Sequence, residues 1–67
     1  MVEIKFNTSG AAFEGFPGAE CVRILKKIVK DLEDSYEYTN RMHGSIMDIN
    51  GNKVGEYDID LSDIDID

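Results

Sequence analysis

The sequence predicts a single α+β domain in which one helix packs on a three-stranded β-sheet, in the order β-α-β-β. Three features predict this fold: apolar alternation at the start of the chain, a long segment with apolar residues at three- and four-residue steps, and two strand-like segments around an Asn-Gly pair. The 67 residues allow one domain, residues 1–67. Because a chain this short buries only about 60% of its unfolded surface, its core is thin and we expect a homo-oligomer.

The first strand is indicated by the N-terminal alternation. Every second residue from Val2 to Phe6 is apolar, and the residues between them are charged. Such a period of two predicts a half-buried strand over residues 2–8. The Thr-Ser-Gly sequence that follows ends it, and residues 11–15 form a loop or short turn that carries Phe13.

The helix is predicted over residues 17–36. Pro17 suits the first helical position, and Glu20 in the first turn suits the helix dipole. Phe16 is expected to pack back on the first turns as a hydrophobic staple. The spacing predicts one apolar stripe facing the sheet. That stripe comprises Cys21, Val22, Leu25, Ile28, Val29, Leu32 and Tyr36.

A β-hairpin is predicted after a connection at residues 37–44. Strand-like segments at residues 45–49 and 53–61 flank Asn50-Gly51, a pair that favours a type I′ turn with both residues at positive φ. A right-handed crossover through the helix joins the first strand to this hairpin. The helix covers one face of the sheet, and the other face is left for solvent or another subunit.

The charge of the chain is unevenly distributed. The net charge is −7, but residues 1–30 carry +2 and residues 31–67 carry −9. An acidic field repels nucleic acid and anionic membranes and attracts basic surfaces. We therefore expect a basic protein partner, with no direct nucleic-acid or membrane binding. One cysteine, no signal-peptide pattern at the start and no long apolar run favour a cytoplasmic location.

The acidic C-terminal segment is the feature with the most functional content. On a strand, the acids at positions 56, 58 and 60 would point the same way about 6.6 Å apart. This carboxylate spacing is not far from that of the phosphates along a nucleic-acid strand, which climbs about 3.4 Å of axis per nucleotide. A groove that binds a phosphate backbone could therefore accept this row of carboxylates instead, which would make the protein a DNA mimic. The alternative is that the acids only keep an exposed strand soluble. The segment holds Glu56, Asp58, Asp60, Asp63, Asp65 and Asp67.

Two further charged groups lie on the predicted helix. Asp31, Asp34 and Glu37 stand near its C-terminus, where the dipole disfavours acids, and they form a second candidate patch for the partner. The bases Arg23, Lys26, Lys27 and Lys30 could bind an anion such as a nucleotide. The alternative is that Lys27–Asp31 and Lys30–Asp34 are ordinary ion pairs on the helix surface.

No catalytic residue, metal or cofactor is predicted, and we expect the protein not to be an enzyme. Cys21 lies on the apolar stripe and His43 in the connection, and nothing in the sequence brings them together. Asp48-x-Asn50-Gly51-Asn52 is similar to the start of a calcium loop. That loop requires Gly at its sixth and Glu at its twelfth position, which here are Lys53 and Ile59.

Four segments together resemble small proteins encoded by bacteriophages and prophages: residues 6–8, 11–14, 23–25 and 48–55 (FNT, AAFE, RIL and DINGNKVG). The resemblance implies a phage context, hence the cytoplasm of an infected host. Small acidic phage proteins often block host defence or host nucleic-acid enzymes. No catalytic or ligand-binding residues come with the resemblance.

These observations favour one functional hypothesis and leave two open. The first is a non-enzymatic, anti-CRISPR-like inhibitor whose acidic surface binds a basic site on a host defence or nucleic-acid-binding complex. The second is an oligomeric sponge that sequesters an anionic signalling nucleotide on the helix bases. The third is a structural or assembly protein of the virion.

Overall fold

The computed structural model describes residues 1–62 and confirms the α+β fold and the β-α-β-β order. One helix packs on one three-stranded sheet, and a 3₁₀ turn at Ala11–Phe13 leads towards the helix. No helix in this part of the chain has the length and apolar character needed to cross a bilayer. The main elements are β1 (Val2–Phe6), α1 (Pro17–Ser35), β2 (Arg41–Met47) and β3 (Lys53–Asp60).

The last strand of the described part of the chain, β3, lies in the middle of the sheet. The strand order is β1-β3-β2, and both neighbours of β3 are antiparallel to it. Tyr57 at the centre of β3 has Ile4 of β1 on one side and Gly44 of β2 on the other. The strands β1 and β2 therefore run in the same direction, and the connection through α1 passes from one edge of the sheet to the other.

The core is small and lies between α1 and the sheet. Within residues 1–62, six apolar side chains form it, each at most 9% exposed, and the ring of Phe6 stacks on that of Phe13 with 6.2 Å between centroids. Burial of this apolar surface is the main force that holds the helix on the sheet. The six are Phe13, Ile24, Ile28, Ile46, Tyr57 and Ile59.

The apolar stripe predicted for the helix is rotated from the face that is actually buried. Ile24, which lay outside the predicted stripe, is 2% exposed, and Ile28 is 6% exposed. Cys21 and Leu32 are half-buried against the core, as predicted. The other four predicted members (Val22, Leu25, Val29 and Tyr36) are 42–60% exposed. We call these four residues the apolar flank of α1.

The physical reason for the rotation is a partly buried ion pair at the start of the helix. Glu20 is only 6% exposed, and its carboxylate accepts hydrogen bonds from Arg23 (2.8 and 2.9 Å) and from the amide of Ile49 (2.9 Å). These bonds turn the Glu20 side of the helix towards the hairpin, and Ile24 follows one turn later on the same side. The predicted staple is also wrong, because Phe16 is 82% exposed.

The strand β2 begins four residues earlier than the predicted segment. The register with β3 places Met42, Gly44 and Ile46 on the helix side of the sheet. The alternation of apolar residues at positions 42, 44 and 46 was not detected by the sequence analysis, because the middle residue is a glycine and has no apolar side chain. The aromatic ring of Tyr57 packs over it, and a Cβ on Gly44 would lie 3.1 Å from the Tyr57 hydroxyl oxygen.

The predicted hairpin is present, but its turn is not type I′. Only Gly51 has a positive φ, at 85°, and Asn50 does not. The amide of Gly51 donates to the carbonyl of Asp48 (3.0 Å), and the amide of Asp48 donates to the carbonyl of Asn52 (2.8 Å). This pattern is a three-residue hairpin connection whose last residue is left-handed, a position that favours glycine.

Candidate binding face of the sheet

The side of the sheet that faces away from α1 is polar. Tyr57 and Ile59 point towards the helix, so alternation along β3 places Glu56, Asp58 and Asp60 on the opposite side. No described element covers that side, which we call the open face. The carboxylates at these three positions follow the central strand at intervals of about 6.6 Å.

Side chains from the two outer strands flank this central row. Glu3 of β1 and His43 of β2 lie opposite Asp58, while Lys5 lies opposite Glu56. Together they line a shallow concavity of about 480 Å³ at the middle of the open face. We use the term acidic stripe for the carboxylates of the open face on β1 and β3, namely Glu3, Glu56, Asp58 and Asp60.

Two residues of the acidic stripe lie opposite each other on adjacent strands. Glu3 and Asp58 are register partners, and like charges in that position destabilise a sheet. Arg41 donates to Oδ2 of Asp58 at 3.2 Å, and this hydrogen bond raises the pKa of the Arg41 guanidinium. The other oxygen, Oδ1, is shielded from solvent and accepts no hydrogen bond from residues 1–62. The sheet itself thus leaves part of the acceptor capacity of Asp58 unused.

The two ends of the stripe on β3 differ in exposure, because Glu56 is exposed and Asp60 is half-buried. Lys53 contacts Glu56 at 3.3 Å, but both side chains are more than half exposed, so this pair contributes little to stability. Asp60 accepts hydrogen bonds from Ser62, including one from its amide at 3.0 Å, and these bonds lower the pKa of the Asp60 carboxyl. Asp60 is therefore ionised at neutral pH.

The second predicted acidic patch lies on the other layer of the molecule. Asp31 and Asp34 belong to α1, and Glu37 follows its C-terminus. The predicted ion pairs are confirmed: Lys27 contacts Asp31 at 2.9 Å and Lys30 contacts Asp34 at 3.2 Å. The helix and the open face are on opposite sides of the sheet, so these acids do not extend the acidic stripe. Asp63, Asp65 and Asp67 lie outside the described residues.

The helix bases are mostly engaged within the molecule. Arg23 binds both carboxylate oxygens of Glu20 and also donates to the carbonyl of Met47 at 3.0 Å. Lys27 and Lys30 are held in the helix ion pairs. Lys26 is the one member of this group with no hydrogen bond or ion pair to another described residue. Anion binding here would require existing pairs to open.

Glu20 has a structural role that the sequence analysis missed. Its bonds to Arg23 and Ile49 join the first turns of α1 to the hairpin. The hydrogen bonds from Arg23 lower the pKa of the Glu20 carboxyl, against the opposing effect of burial. The three-residue spacing of Glu20 and Arg23 is a sequence signal for an ion pair on a helix. No sequence signal predicts the contact of Glu20 with the hairpin.

The residues weighed for catalysis or metal binding are not brought together. Cys21 lies on the helix layer and His43 on the open face, so the sheet separates them. Asp48 is buried, and its Oδ1 accepts the amides of Asn50 and Asn52 at 2.9 Å each. The Asp48 carboxylate therefore stabilises the hairpin turn, which is the same segment that is similar to the start of a calcium loop. Residues 1–62 contain no cluster of three His, Cys, Asp or Glu side chains placed to hold a metal ion.

Chemically, the open face offers a row of hydrogen-bond acceptors to a partner. Carboxylates at regular spacing can accept bonds from Lys or Arg side chains, and charge-assisted bonds of this kind are the stronger ones. Comparisons of the chain with protein-family models, with curated proteins and with solved structures found no match.

Proposed function

We propose that this protein is a non-enzymatic, phage-type inhibitor that binds a basic, nucleic-acid-binding surface of a host protein through its acidic stripe. It would act by occupying a site that otherwise holds a phosphate backbone, as anti-CRISPR-like DNA mimics do. The proposal places the protein in the cytoplasm of the infected cell.

The observation that carries the proposal is the register pairing of Glu3 with Asp58 at the centre of an uncovered face. Like charges in this register cost stability, and among residues 1–62 only Asp58 of the two has an ion-pair partner, Arg41, so the charge of Glu3 is left unbalanced. A partner that supplies Lys or Arg side chains would turn this repulsion into attraction.

The charge of the whole chain supports the same conclusion. With a net charge of −7, the protein repels nucleic acid and attracts basic surfaces over distances of about a Debye length, roughly 8–10 Å. Association with such a surface is accelerated by this attraction and falls as salt rises. Binding through the open face leaves the packing of α1 on the sheet undisturbed.

The test is capture of proteins from a bacterial host lysate on the immobilised chain, with duplex DNA as the competitor. Glu56→Gln combined with Asp58→Asn removes two charges from the acidic stripe while keeping side-chain shape. Glu14→Gln combined with Glu33→Gln removes two exposed charges elsewhere and is the matched control. We expect the parent and the control to retain a protein that duplex DNA displaces, and the stripe variant to bind it about tenfold more weakly.

Three results would contradict the proposal. In the first, the stripe variant binds the captured protein as tightly as the parent. In the second, the control variant loses as much affinity as the stripe variant, which would show that only net charge matters. In the third, duplex DNA does not displace the captured protein, so its nucleic-acid site is not the one occupied.

A further inference from the structure

The strand β1 forms an open edge of the sheet. It pairs with β3 on one side, and no strand of the described chain pairs with its other side. Val2 and Ile4 point to the helix side but remain 53% and 37% exposed, because α1 packs mainly towards the β2 half of the sheet. An exposed edge with apolar side chains favours pairing with another strand.

The hydrogen bonds between β1 and β3 show which backbone groups of β1 face outwards at this edge. Met1 and Asn7 hydrogen-bond to β3, through Asp60 N–H to Met1 O at 3.0 Å and Asn7 N–H to Val54 O at 2.8 Å. Because backbone direction alternates along a strand, odd-numbered residues of β1 face β3 and even-numbered ones face outwards. Val2, Ile4 and Phe6 therefore present at the edge N–H and C=O groups that no other strand of residues 1–62 pairs with.

The charges on β1 select one register for pairing with a second copy. In an antiparallel pair centred on Ile4, each Glu3 lies opposite Lys5 of the other copy, so two complementary pairs form. Shifting the centre to Glu3 would place two Glu3 carboxylates together, and shifting it to Lys5 would place two ammonium groups together. Neither Glu3 nor Lys5 has an ion pair or side-chain hydrogen bond to another residue in 1–62, so both are available.

The register centred on Ile4 also matches the hydrogen-bonding groups. It aligns the outward-facing Ile4 with its own copy, and Val2 with Phe6 of the other copy. Each such pair exchanges two backbone hydrogen bonds in an antiparallel ladder. The charged residues then occupy the non-hydrogen-bonded positions, where opposite side chains are closest, at about 4.5 Å between Cα atoms.

The apolar flank of α1 lies on the same side of the molecule as this edge. Arg23 contacts the carbonyl of Met47 in β2. Successive residues of a helix are rotated by about 100°, so Arg23 lies on one side of the buried Ile24, while Leu25 and Val29 lie on the other. Because Arg23 faces β2, Leu25 and Val29 face away from it. The exposed apolar surface of the helix thus faces the same side of the molecule as the exposed apolar side chains of β1. The other edge, β2, carries Arg41 and His43 but no acid, so it offers no self-complementary pair.

We propose that the protein is a two-fold symmetric homodimer built by antiparallel pairing of β1 with β1 of a second copy, centred on Ile4 and specified by Glu3–Lys5 pairs across the interface. The result is one continuous six-stranded sheet with both helices on the same side. A two-fold interface of this kind uses the same patch on both copies, which the order Glu3, Ile4, Lys5 satisfies. The proposal does not depend on the function proposed for the acidic stripe.

The test is a charge-swap cycle measured by sedimentation on the full chain. The parent should sediment at twice its monomer mass of 7.5 kDa. Glu3→Lys and Lys5→Glu each create two like-charge contacts, so each alone should raise the dimer dissociation constant about tenfold or more. An equimolar mixture of the two variants should form a heterodimer, because Lys meets Glu at both positions. The double variant Glu3→Lys with Lys5→Glu should restore the homodimer.

Circular dichroism of each variant separates loss of pairing from loss of folding, and the mixing step does so independently. Recovery of a dimer on mixing cannot arise from unfolded chains. The proposal would be overturned by a parent that stays monomeric up to about 1 mM. It would equally be overturned if the single variants dimerise as tightly as the parent, or if the mixture shows no association beyond that of its components.

Discussion

Replacing Ile24 with alanine tests which face of the helix holds the domain together. Ile24 is 2% exposed and lies in the core, whereas its neighbour Leu25 is 42% exposed. The two side chains are isomers, so Ile24→Ala and Leu25→Ala remove the same atoms. For a buried isoleucine the loss is about 2–5 kcal/mol, including the cavity that remains. For Leu25 we expect less than half of that loss.

The assay is urea unfolding followed by far-UV circular dichroism, with both variants at one protein concentration. A chain of 67 residues has a total stability of about 3–10 kcal/mol, so Ile24→Ala could unfold a large fraction of the protein. Ile24→Val, which should cost about 1 kcal/mol, keeps the measurement within range. The stripe predicted from the sequence gives the opposite order, with Leu25 the more costly site. Finding that order would refute the burial described above.

Two further predictions concern positions that the fold constrains tightly. Gly55→Ala would place a Cβ 2.6 Å from Phe6 Cα, a backbone contact that cannot relax without moving β1, so we expect a loss of about 1–3 kcal/mol by thermal unfolding. Gly10→Ala, which meets nothing within 4 Å, is the control, and equal effects would contradict the close approach. Because the Glu20 pKa is lowered on folding, its contribution should be complete above its ordinary pKa of 4.5 and lost as pH falls through the lower folded value. The melting temperature of Glu20→Gln should therefore fall less between pH 6 and pH 3 than that of the parent, and parallel curves would contradict this.

The sequence predicted the element types well because periodicity and turn chemistry are local. Alternation in β1, the long helical period and the glycine hairpin each follow from neighbouring residues. The errors came from contacts between distant segments. The burial of Ile24 depends on Glu20 meeting the hairpin amide of Ile49, and the early start of β2 depends on Tyr57 packing over Gly44. Neither contact leaves a periodic signal in the chain.

The candidate site was predictable only in part for the same reason. Alternation along one strand was enough to place Glu56, Asp58 and Asp60 on a common side. The presence of Glu3 beside them required the strand order, in which β3 lies between β1 and β2. The helix acids were already predicted as a separate patch, because Asp31 and Asp34 lie in the segment with helical periodicity.

The two proposals, if both hold, combine into one surface. A two-fold axis through paired β1 strands is perpendicular to the sheet, so the open faces of both copies point the same way. The two β3 strands would then be three strand spacings apart, about 14 Å. Their carboxylates would form two antiparallel rows with the Glu3–Lys5 pairs between them. Duplex DNA also presents two antiparallel rows of negative charge, across a major groove about 12 Å wide. A single copy offers one row, so mimicry of a duplex would be a property of the dimer.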